Sequence, residues 1–439
     1  MTSMLLTQKI RIAPTTTQVQ VLWALSEQCR HLYNFALAER RHQWTINQTK
    51  PTTARTHITY TQQQNALPAL KAKFPAYTWV YSKVLQMTLR RLDADYKSFF
   101  ARWRGGDFRA RPPRFKGKHY FTTLCYNQSG FTLDIENKRI RFSHHHPTEV
   151  NLEFTLPWLP TAKGRIKQVD LFQDRQRRWF VAITYDVAVL PFVDNSRYQA
   201  IDIGVINLVT AVNQQGRFFQ IRNRRSDLYW KDKLRQVQSR RDHCKKFSKK
   251  WYFYQQKGQK MQHKLTNQLR DFQHKISKVV VNNTRAKTLI VGELAVKRMA
   301  KKKRASGCQR QDAANRTLNH SLQNTGFLGR FVQFLTYKAK KVGKRVIRID
   351  EAQTTMRCCL CGKKRARKLS ERVIQCNCGT SFDRDQNAAV NIMVRFLLQQ
   401  PPVNGEPLQQ FWNGLHRHTA LPHVLPVVDS MEIPELMQG

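Results

Sequence analysis

Three acidic residues stand where strands end or helices begin, in a chain in which acids are scarce. Asp202 lies in the apolar segment AIDIG (200–204), Glu293 ends LIVGE (289–293), and Asp385 opens DQNAAVNIMVRFLL (385–398). A carboxylate in a buried strand is costly unless it is paired or binds a metal. Three that converge at one edge of a mixed sheet would hold two divalent cations about 4 Å apart, an arrangement that hydrolyses phosphodiesters. Taken singly, each acid has a plainer explanation as a helix cap or as the partner of an arginine.

Five of the nine cysteines lie between residues 358 and 378, in two short turns that are each followed by glycine. Thiolate turns of this kind predict a zinc ribbon with one structural Zn²⁺. The clustering indicates metal binding in a reducing compartment and argues against a disulfide framework. The predicted ligands are Cys358, Cys361, Cys376 and Cys378. The second turn is Cys-x-Cys instead of Cys-x-x-Cys, and Cys359 is an alternative to Cys358.

The charge balance predicts a polyanionic partner. Lys and Arg total 76 against 29 Asp and Glu, which gives a net charge of +47 and a pI near 10.5. Hydrophobic residues at 41% and aromatic residues at 10% indicate a folded chain and not a disordered polycation. No stretch reaches the ~18 apolar residues of a membrane helix, and the first residues lack a long apolar core. We therefore expect neither membrane insertion nor secretion.

Two basic segments are candidates for contact with nucleic acid. Residues 99–121 interleave basic side chains with Trp103, Phe108 and Phe115, which suits phosphate contact together with base stacking. Residues 297–304 carry six basic groups in eight positions. The predicted contacts are Arg102, Arg104, Arg109, Arg111, Arg114, Lys116, Lys118, Lys301, Lys302, Lys303 and Arg304.

The hydrophobic pattern predicts a multidomain α+β chain. Helices are expected after a cap within 15–17 (TTT) and over about 82–100, and short strand-like runs between 121 and 189 suggest a small antiparallel barrel. The alternating segment 5–13 is a candidate strand of the same barrel, which the sequence alone does not settle.

After about residue 196 the pattern changes to a mixed sheet. Three strands follow one another over 200–222, a long basic helical stretch comes next, and TLIVGEL (288–294) and RVIRI (345–349) read as buried strands around a helix at 327–342. The last 41 residues hold 6 of the 16 prolines and are acidic. We expect this tail, 400–439, to be disordered and dispensable for cutting.

The motifs, taken in order, resemble those of the TnpB proteins of insertion-sequence transposons, relatives of the type V CRISPR effector nucleases. The resemblance rests on IDIG (201–204), VGEL around Glu293, LTYKAKKVG (335–343), the cysteine pairs, FDRDQNAA (382–389) and PPRFKGK (112–118). It extends from about residue 5 to residue 398.

The resemblance implies a RuvC-like nuclease domain of RNase H fold at 196–352 and 383–399, with a zinc ribbon insert at 353–382 that binds the target nucleic acid. A β-barrel wedge domain at 1–14 and 119–195 would precede it, with a helical recognition domain at 15–118 inserted. By the same match Asp202, Glu293 and Asp385 would hold two Mg²⁺ ions as the catalytic triad. Asp383 also belongs to the motif, but the acid two residues before Asn-Ala-Ala is the one that takes the metal.

The function implied is RNA-guided, Mg²⁺-dependent cleavage of duplex DNA beside a short adjacent motif, by a cytoplasmic prokaryotic protein that acts on the nucleoid, with a monomer favoured. A guide RNA from the transposon end would supply the sequence choice by base pairing. Three alternatives remain open: a CRISPR-associated intermediate that uses a separate crRNA, a nuclease-dead guided repressor, and a general RNA-binding basic protein. The three acids at strand or helix ends argue against the last two.

Overall fold

The computed structural model describes residues 3–161, 164–293, 328–365, 371–379, 381–399 and 406–419. The chain divides into two compact units, one formed by Ser3–Ala188 and the other by the residues from Val189 onward. The predicted basic segment 297–304 lies outside the described residues.

Two helices of the first unit, which start at Thr16 and Ser82, begin where the sequence predicts. Thr15 caps α1 (Thr16–Gln48) with its side chain, and Gln18 reaches back to the Thr15 amide, so two backbone donors that the helix leaves open are satisfied. The buried face of α1 carries Leu22, Leu25, Cys29 and Leu32, as the periodicity requires. The helices are α1 (Thr16–Gln48), α2 (Tyr60–Asn65), α3 (Leu67–Lys73) and α4 (Ser82–Arg104), with short 3₁₀ turns at Thr52–Ala54 and Pro75–Trp79.

Strands of the first unit form two antiparallel sheets. They are β1 (Ser3–Ile12), β2 (Leu124–Asn127), β3 (Phe131–Asp134), β4 (Arg139–Phe142), β5 (Leu152–Thr155), β6 (Arg165–Gln173) and β7 (Trp179–Ala188). One sheet has the order β1-β7-β6-β2 and the other β3-β4-β5. Ser3 pairs with Ala188 and Ile12 with Trp179. The strand before the helices therefore belongs with the strands after them, which answers the question that the sequence left open.

The second unit is built on a five-stranded mixed sheet. Its strands are β8 (Tyr198–Asp202), β9 (Asn207–Asn213), β10 (Phe218–Arg222), β11 (Thr288–Glu293) and β12 (Arg345–Asp350). Their order is β10-β9-β8-β11-β12, in which β8, β11 and β12 run parallel and β9 is antiparallel to both its neighbours. Both faces of β11 are buried up to Gly292, as its unbroken apolar run predicts.

Helices cover both faces of this sheet. They are α6 (Lys249–Asn283), α7 (Leu328–Lys341) and α8 (Arg384–Leu398), whereas α5 (Ser226–Asp242) packs on α6. The small hairpin of β13 (Val373–Gln375) and β14 (Ser381–Asp383) leads into α8. Ile201 and Val291 pack with α6 and α7 on one face. Ala200, Ile290 and Ile349 pack with α8 on the other. Alternate residues of the parallel strands thus face opposite layers.

The prediction that 400–439 is disordered is wrong for part of that segment. Residues Glu406–Thr419 form a further helix, α9, in which Phe411 and Leu415 are fully buried and join the core on the α8 face. Leu408, Phe411, Trp412 and Leu415 follow helical spacing, a signal that the proline count hid. Pro407 lies in the first turn, where proline costs no hydrogen bond.

A chain ending at residue 405 is expected to lose stability, contrary to a dispensable tail. Loss of α9 uncovers the surface that Phe411 and Leu415 bury, and each such side chain contributes roughly 1.5 to 3 kcal/mol. Thermal unfolding would measure the effect, with a chain ending at Thr419 as control because it keeps the helix. Equal unfolding temperatures for the two chains would show that α9 does not stabilise the unit.

Candidate active site and metal centre

Asp202 is the most buried carboxylate that ends a strand of the mixed sheet. It is the last residue of β8, its exposed fraction is 9%, and it makes no hydrogen bond or ion pair within the described part of the chain. Burial raises the pKa of Asp202 well above its usual value, and the nearby carboxylates of Glu351 and Asp385 raise it further. The Arg384 charge opposes this shift only in part. A buried acid that accepts no hydrogen bond and lies among other acids is a ligand set that calls for a cation.

Asp385 lies in the first turn of α8 and points to the same place. Its carboxylate is 7% exposed and accepts a hydrogen bond from the Asn207 side-chain amide at 3.0 Å. The Arg372 and Arg384 side chains lie 3.5 and 3.7 Å from its Oδ1. The structure therefore brings the first and third predicted acids to one edge of the sheet.

Asp383 has a different task from Asp385. It is the N-cap of α8, and its Oδ1 accepts hydrogen bonds from the Asp385 and Gln386 amides at 2.9 and 3.2 Å. The Gln220 side chain donates to the same oxygen at 3.3 Å. The geometry fits the choice of Asp385 as the metal-binding member of the motif, which remains a prediction.

Glu293 occupies the end of β11 but not the face that Asp202 occupies. In the register, Val291 lies beside Ile201, so Gly292 and not Glu293 shares a face with Asp202. Glu293 is exposed, whereas the five residues before it in β11 are buried. Its assignment as the second catalytic acid stays a prediction from the family resemblance.

Glu351 is an acid of this edge that sequence reasoning missed. It follows β12 directly, and its Oε2 is buried without a hydrogen-bond partner. Burial, with the neighbouring Asp350 carboxylate, raises the pKa of Glu351 to about 7. The signal that could have found it is alternation, because residues 347, 349 and 351 continue one face of the strand.

Four cysteine thiols form a compact cluster in which each Sγ lies within 4.8 Å of every other. They are those of Cys358, Cys361, Cys376 and Cys378. The Sγ atoms of Cys358 and Cys378 are 3.7 Å apart and those of Cys361 and Cys376 are 3.4 Å apart. Tetrahedral sites with Zn–S bonds of about 2.3 Å need sulfur separations of about 3.8 Å. The thiols therefore fit a tetrahedral metal despite the shortened second turn.

The turns that carry the thiols are those that the glycines predict. Gly362 and Gly379 have φ of 71° and 84°, in the left-handed region that glycine enters at no steric cost. Cys359 lies apart from the cluster, buried in the core on the α8 face. Burial raises the pKa of its thiol to about 12, so it stays protonated. The alternative in which Cys359 replaces Cys358 finds no support in this geometry.

The cysteine turn is attached to the helix that carries Asp385. The Asn387 side chain accepts a hydrogen bond from the Cys359 amide at 2.8 Å and donates to the carbonyls of Thr354 and Arg357. Asn391 donates to the same two carbonyls at 2.8 and 3.0 Å. The two asparagines therefore fix the start of the metal-binding turn to α8.

The basic segment of the first unit is mostly exposed. Trp103, Phe108 and Phe115 are 46%, 70% and 50% exposed, which is unusual for large aromatic side chains. The exposed cationic residues of the segment are Arg102, Arg104, Arg109, Arg111, Arg114 and Lys118. Arg102 is paired with Asp107.

Lys116 differs from its neighbours in this segment. Its ammonium lies 3.7 Å from the centre of the Tyr33 ring, and burial lowers its pKa to about 8. Its carbonyl accepts hydrogen bonds from Arg30 and Asn34. Lys116 therefore anchors the segment on α1, and its role in nucleic-acid contact stays a prediction. Lys301, Lys302, Lys303 and Arg304 lie outside the described residues.

In the described part of the chain, no helix has the length and apolar character that a membrane crossing requires.

A solved structure shares the fold of this chain. The chain superposes on a chain from the "Cas12f1-sgRNA-target DNA complex" with a TM-score of 0.56 at 11% identity, over 89% of this chain and 98% of that one. This likeness shows the fold alone, a multidomain α+β arrangement, which in this chain carries a four-cysteine cluster.

Sequence comparisons show which families and proteins the chain resembles. Three family models match: "Helix-turn-helix domain" of OrfB_IS605 at residues 1–49, "Probable transposase" OrfB_IS605 at 183–303, and "Cas12f1-like, TNB domain" at 329–392. A Streptomyces pristinaespiralis protein called "Putative RNA-guided DNA endonuclease" is 26% identical over 88% of both chains. The protein called "Putative RNA-guided DNA endonuclease InsQ" from Escherichia coli (strain K12) is 28% identical, over 71% of this chain and 74% of the InsQ chain. The resemblance to the TnpB family is confirmed.

Proposed function

We propose that this protein is an RNA-guided DNA endonuclease. It binds a transposon-derived guide RNA, recognises a short motif beside the target in duplex DNA, and hydrolyses DNA phosphodiesters at a two-Mg²⁺ RuvC-like site. The observation that carries the proposal is the meeting of buried Asp202 and Asp385 at one sheet edge, where Asp202 accepts no hydrogen bond from the described residues. The use of a guide RNA is inferred from the names of the relatives, which are called putative RNA-guided DNA endonucleases.

Sheet topology supports a catalytic role for this edge. Strand order reverses at β8, because β9 lies on one side of it and β11 on the other. In open α/β sheets, ligands bind outside the carboxyl ends of the strands at such a switch point. Asp202 and Glu293 end the two parallel strands that meet there. The mixed sheet thus fits a RuvC-like domain at 196–352 and 383–399, after a wedge barrel and an inserted helical domain.

The carboxylates of Asp202, Glu293 and Asp385 would hold the Mg²⁺ ions, since Mg²⁺ prefers oxygen ligands of this kind. Bound divalent cations supply a lowered pKa for the attacking water and charge stabilisation for the leaving oxygen. The Asn207 amide fixes the Asp385 carboxylate through its Oδ2. The Arg372 and Arg384 side chains lie beside its Oδ1 and offset part of the negative charge.

We assign one structural Zn²⁺ to the four-cysteine cluster, because its sulfur separations suit tetrahedral thiolate coordination. The turn that holds it is fixed to α8 by Asn387 and Asn391. Zinc would therefore order both the insert at 353–382 and the entry to the catalytic helix.

The test of the function is guided cleavage. Protein purified with its RNA, which is sequenced, is supplied with Mg²⁺ and a DNA duplex that matches the guide. Cleavage of the matched duplex and not of a scrambled one supports the proposal. A guide that matches the transposon end favours the TnpB-type reading, whereas a guide with CRISPR repeats favours the crRNA-dependent alternative. Guided binding without cleavage would identify a repressor.

The exposed basic segment of the first unit is expected to contribute phosphate contacts to RNA. Changing Arg109, Arg111 and Arg114 together to Gln should lower the slope of log affinity against log salt by roughly 2 to 3, at about 0.7 to 0.9 per phosphate. Filter binding of the co-purifying RNA over a salt series measures this slope. Arg139→Gln is the control, because Arg139 is similarly exposed but already paired with Glu153. An unchanged slope in the triple variant would remove this segment from the RNA interface.

A further inference from the structure

Three neighbouring parallel strands end in a pattern that includes Asp202 and an acid outside the catalytic triad. Alternate residues of each strand lie on the face of the sheet that packs against α8. They are Ala200 and Asp202 on β8, Ile290 and Gly292 on β11, and Ile349 on β12 with Glu351 just beyond it. The middle strand contributes a glycine at this level, so two carboxylates flank a position that has no side chain.

The missing side chain at Gly292 makes room for Glu351. A methyl group built on Gly292 would lie 2.6 Å from the Glu351 Oε2 and 3.1 Å from its Cβ. The Glu351 carboxylate therefore lies over the middle strand at Gly292. Strands two apart in a sheet are separated by about 10 Å, so a carboxylate that crosses the middle strand covers half that gap.

Both flanking acids are unsatisfied. The Glu351 Oε2 is buried with no hydrogen-bond partner, and the Asp202 side chain, nine-tenths buried, has none within the described residues. A buried carboxylate oxygen left without a donor costs free energy, unless a cation occupies the space beside it. Two such acids beside one glycine, close enough for the Glu351 charge to act on Asp202, point to a shared cation.

We propose that Glu351 is a cation ligand of the nuclease site, acting together with Asp202 and Asp385. The inference rests on the proposed function and extends its set of metal-binding residues beyond the family triad. Gly292 is the positioning residue that leaves space for the Glu351 carboxylate. Glu293, at the end of the same strand, remains a predicted member of the triad. Substitutions of Glu293 and Glu351 therefore test the two assignments separately.

Binding of Mn²⁺ to the full-length protein freed of nucleic acid tests this inference directly. Glu351→Gln should weaken Mn²⁺ binding at least about tenfold, followed by the paramagnetic resonance signal of free Mn²⁺. Asp350→Asn is the matched control, because this exposed neighbour should leave the affinity unchanged. Gly292→Ala should reproduce the loss without touching any charge, since its methyl group displaces the carboxylate. Thermal unfolding without metal confirms that each variant is folded.

Guided cleavage by the same variants separates this inference from the proposed function. The Mg²⁺ concentration for half-maximal cleavage should rise at least about tenfold in Glu351→Gln. Parent-like Mn²⁺ affinity in Glu351→Gln would overturn the inference even if the parent cleaves DNA. Absence of Mn²⁺ binding by the parent would also overturn it. Mn²⁺ binding that depends on Glu351, in a parent that does not cleave, would leave the cation site standing and refute the nuclease.

Discussion

Replacing Asp202 by Asn is expected to lower guided DNA cleavage by about a thousandfold or more while leaving guide and target binding intact. The change removes a carboxylate from the centre of the proposed cation site and keeps the shape of the side chain. The contribution of bound metal to the transition state is worth several kcal/mol, and each 1.4 kcal/mol is about tenfold in rate. Guided cleavage with Mg²⁺, run beside filter binding of the same variant, measures both effects.

The same substitution should not destabilise the metal-free protein. Burial and the carboxylates of Glu351 and Asp385 raise the pKa of Asp202, so ionising it in the folded state is unfavourable. When the pKa of an acid is higher in the folded state than in the unfolded state, the protein loses stability as the pH rises toward the folded-state value. The neutral Asn is therefore expected to unfold at the parent temperature or above it at pH 8. An inactive variant that unfolds earlier would indicate a structural role instead.

Asp383→Asn is the matched control for this prediction. Asn caps helices as well as Asp does, so α8 should keep its start, and the variant should cleave at a rate near that of the parent. Asp385→Asn and Glu293→Gln are predicted to resemble Asp202→Asn. If Asp202→Asn cleaves near the parent rate, the assignment of these acids to catalysis is wrong.

The sequence predicted those parts of the fold whose signals are local. The cap at Thr15, the apolar run of β11 and the helix at 328–341 each follow from propensity and periodicity, and the structure confirms them. The four thiols follow from spacing, because a turn of two or three residues fixes its own geometry. The pairing of β1 with β7 joins residues about 180 apart and needs the structure.

The site was only partly predictable because it depends on register. Asp202 and Asp385 stand out as acids in apolar segments, but Glu351 follows another acid in a polar stretch and carries no motif. Alternation along β12 places it on the core-facing row, but its approach to the site depends on the register that sets β12 beside β11, where Gly292 opens a space under it. The helix α9 does not follow from composition, because the prolines and acids of the tail conceal the helical spacing of its apolar residues.

Loss of the metal cluster is expected to lower cleavage strongly, by a different route from loss of a catalytic acid. Cys376→Ser should reduce the zinc content from one ion per chain to near zero, measured by elemental analysis, because structural zinc sites bind with about 10 to 16 kcal/mol and need all four thiolates. Cys244→Ser, in a residue outside the cluster, is the control and should keep the zinc.

The consequence for cleavage follows from the two asparagines that join the cluster to α8. Without metal, the turn from Thr354 to Cys361 loses its anchor, and the carbonyls that Asn387 and Asn391 bind are no longer held. Asp385 lies two residues before Asn387, so we expect its carboxylate to lose its fixed position and cleavage to fall at least about a hundredfold, since a misplacement of 1 Å can cost about that much. Asn387→Ala should lower cleavage while zinc stays bound. Full cleavage by zinc-free Cys376→Ser would show that the cluster does not support the catalytic helix.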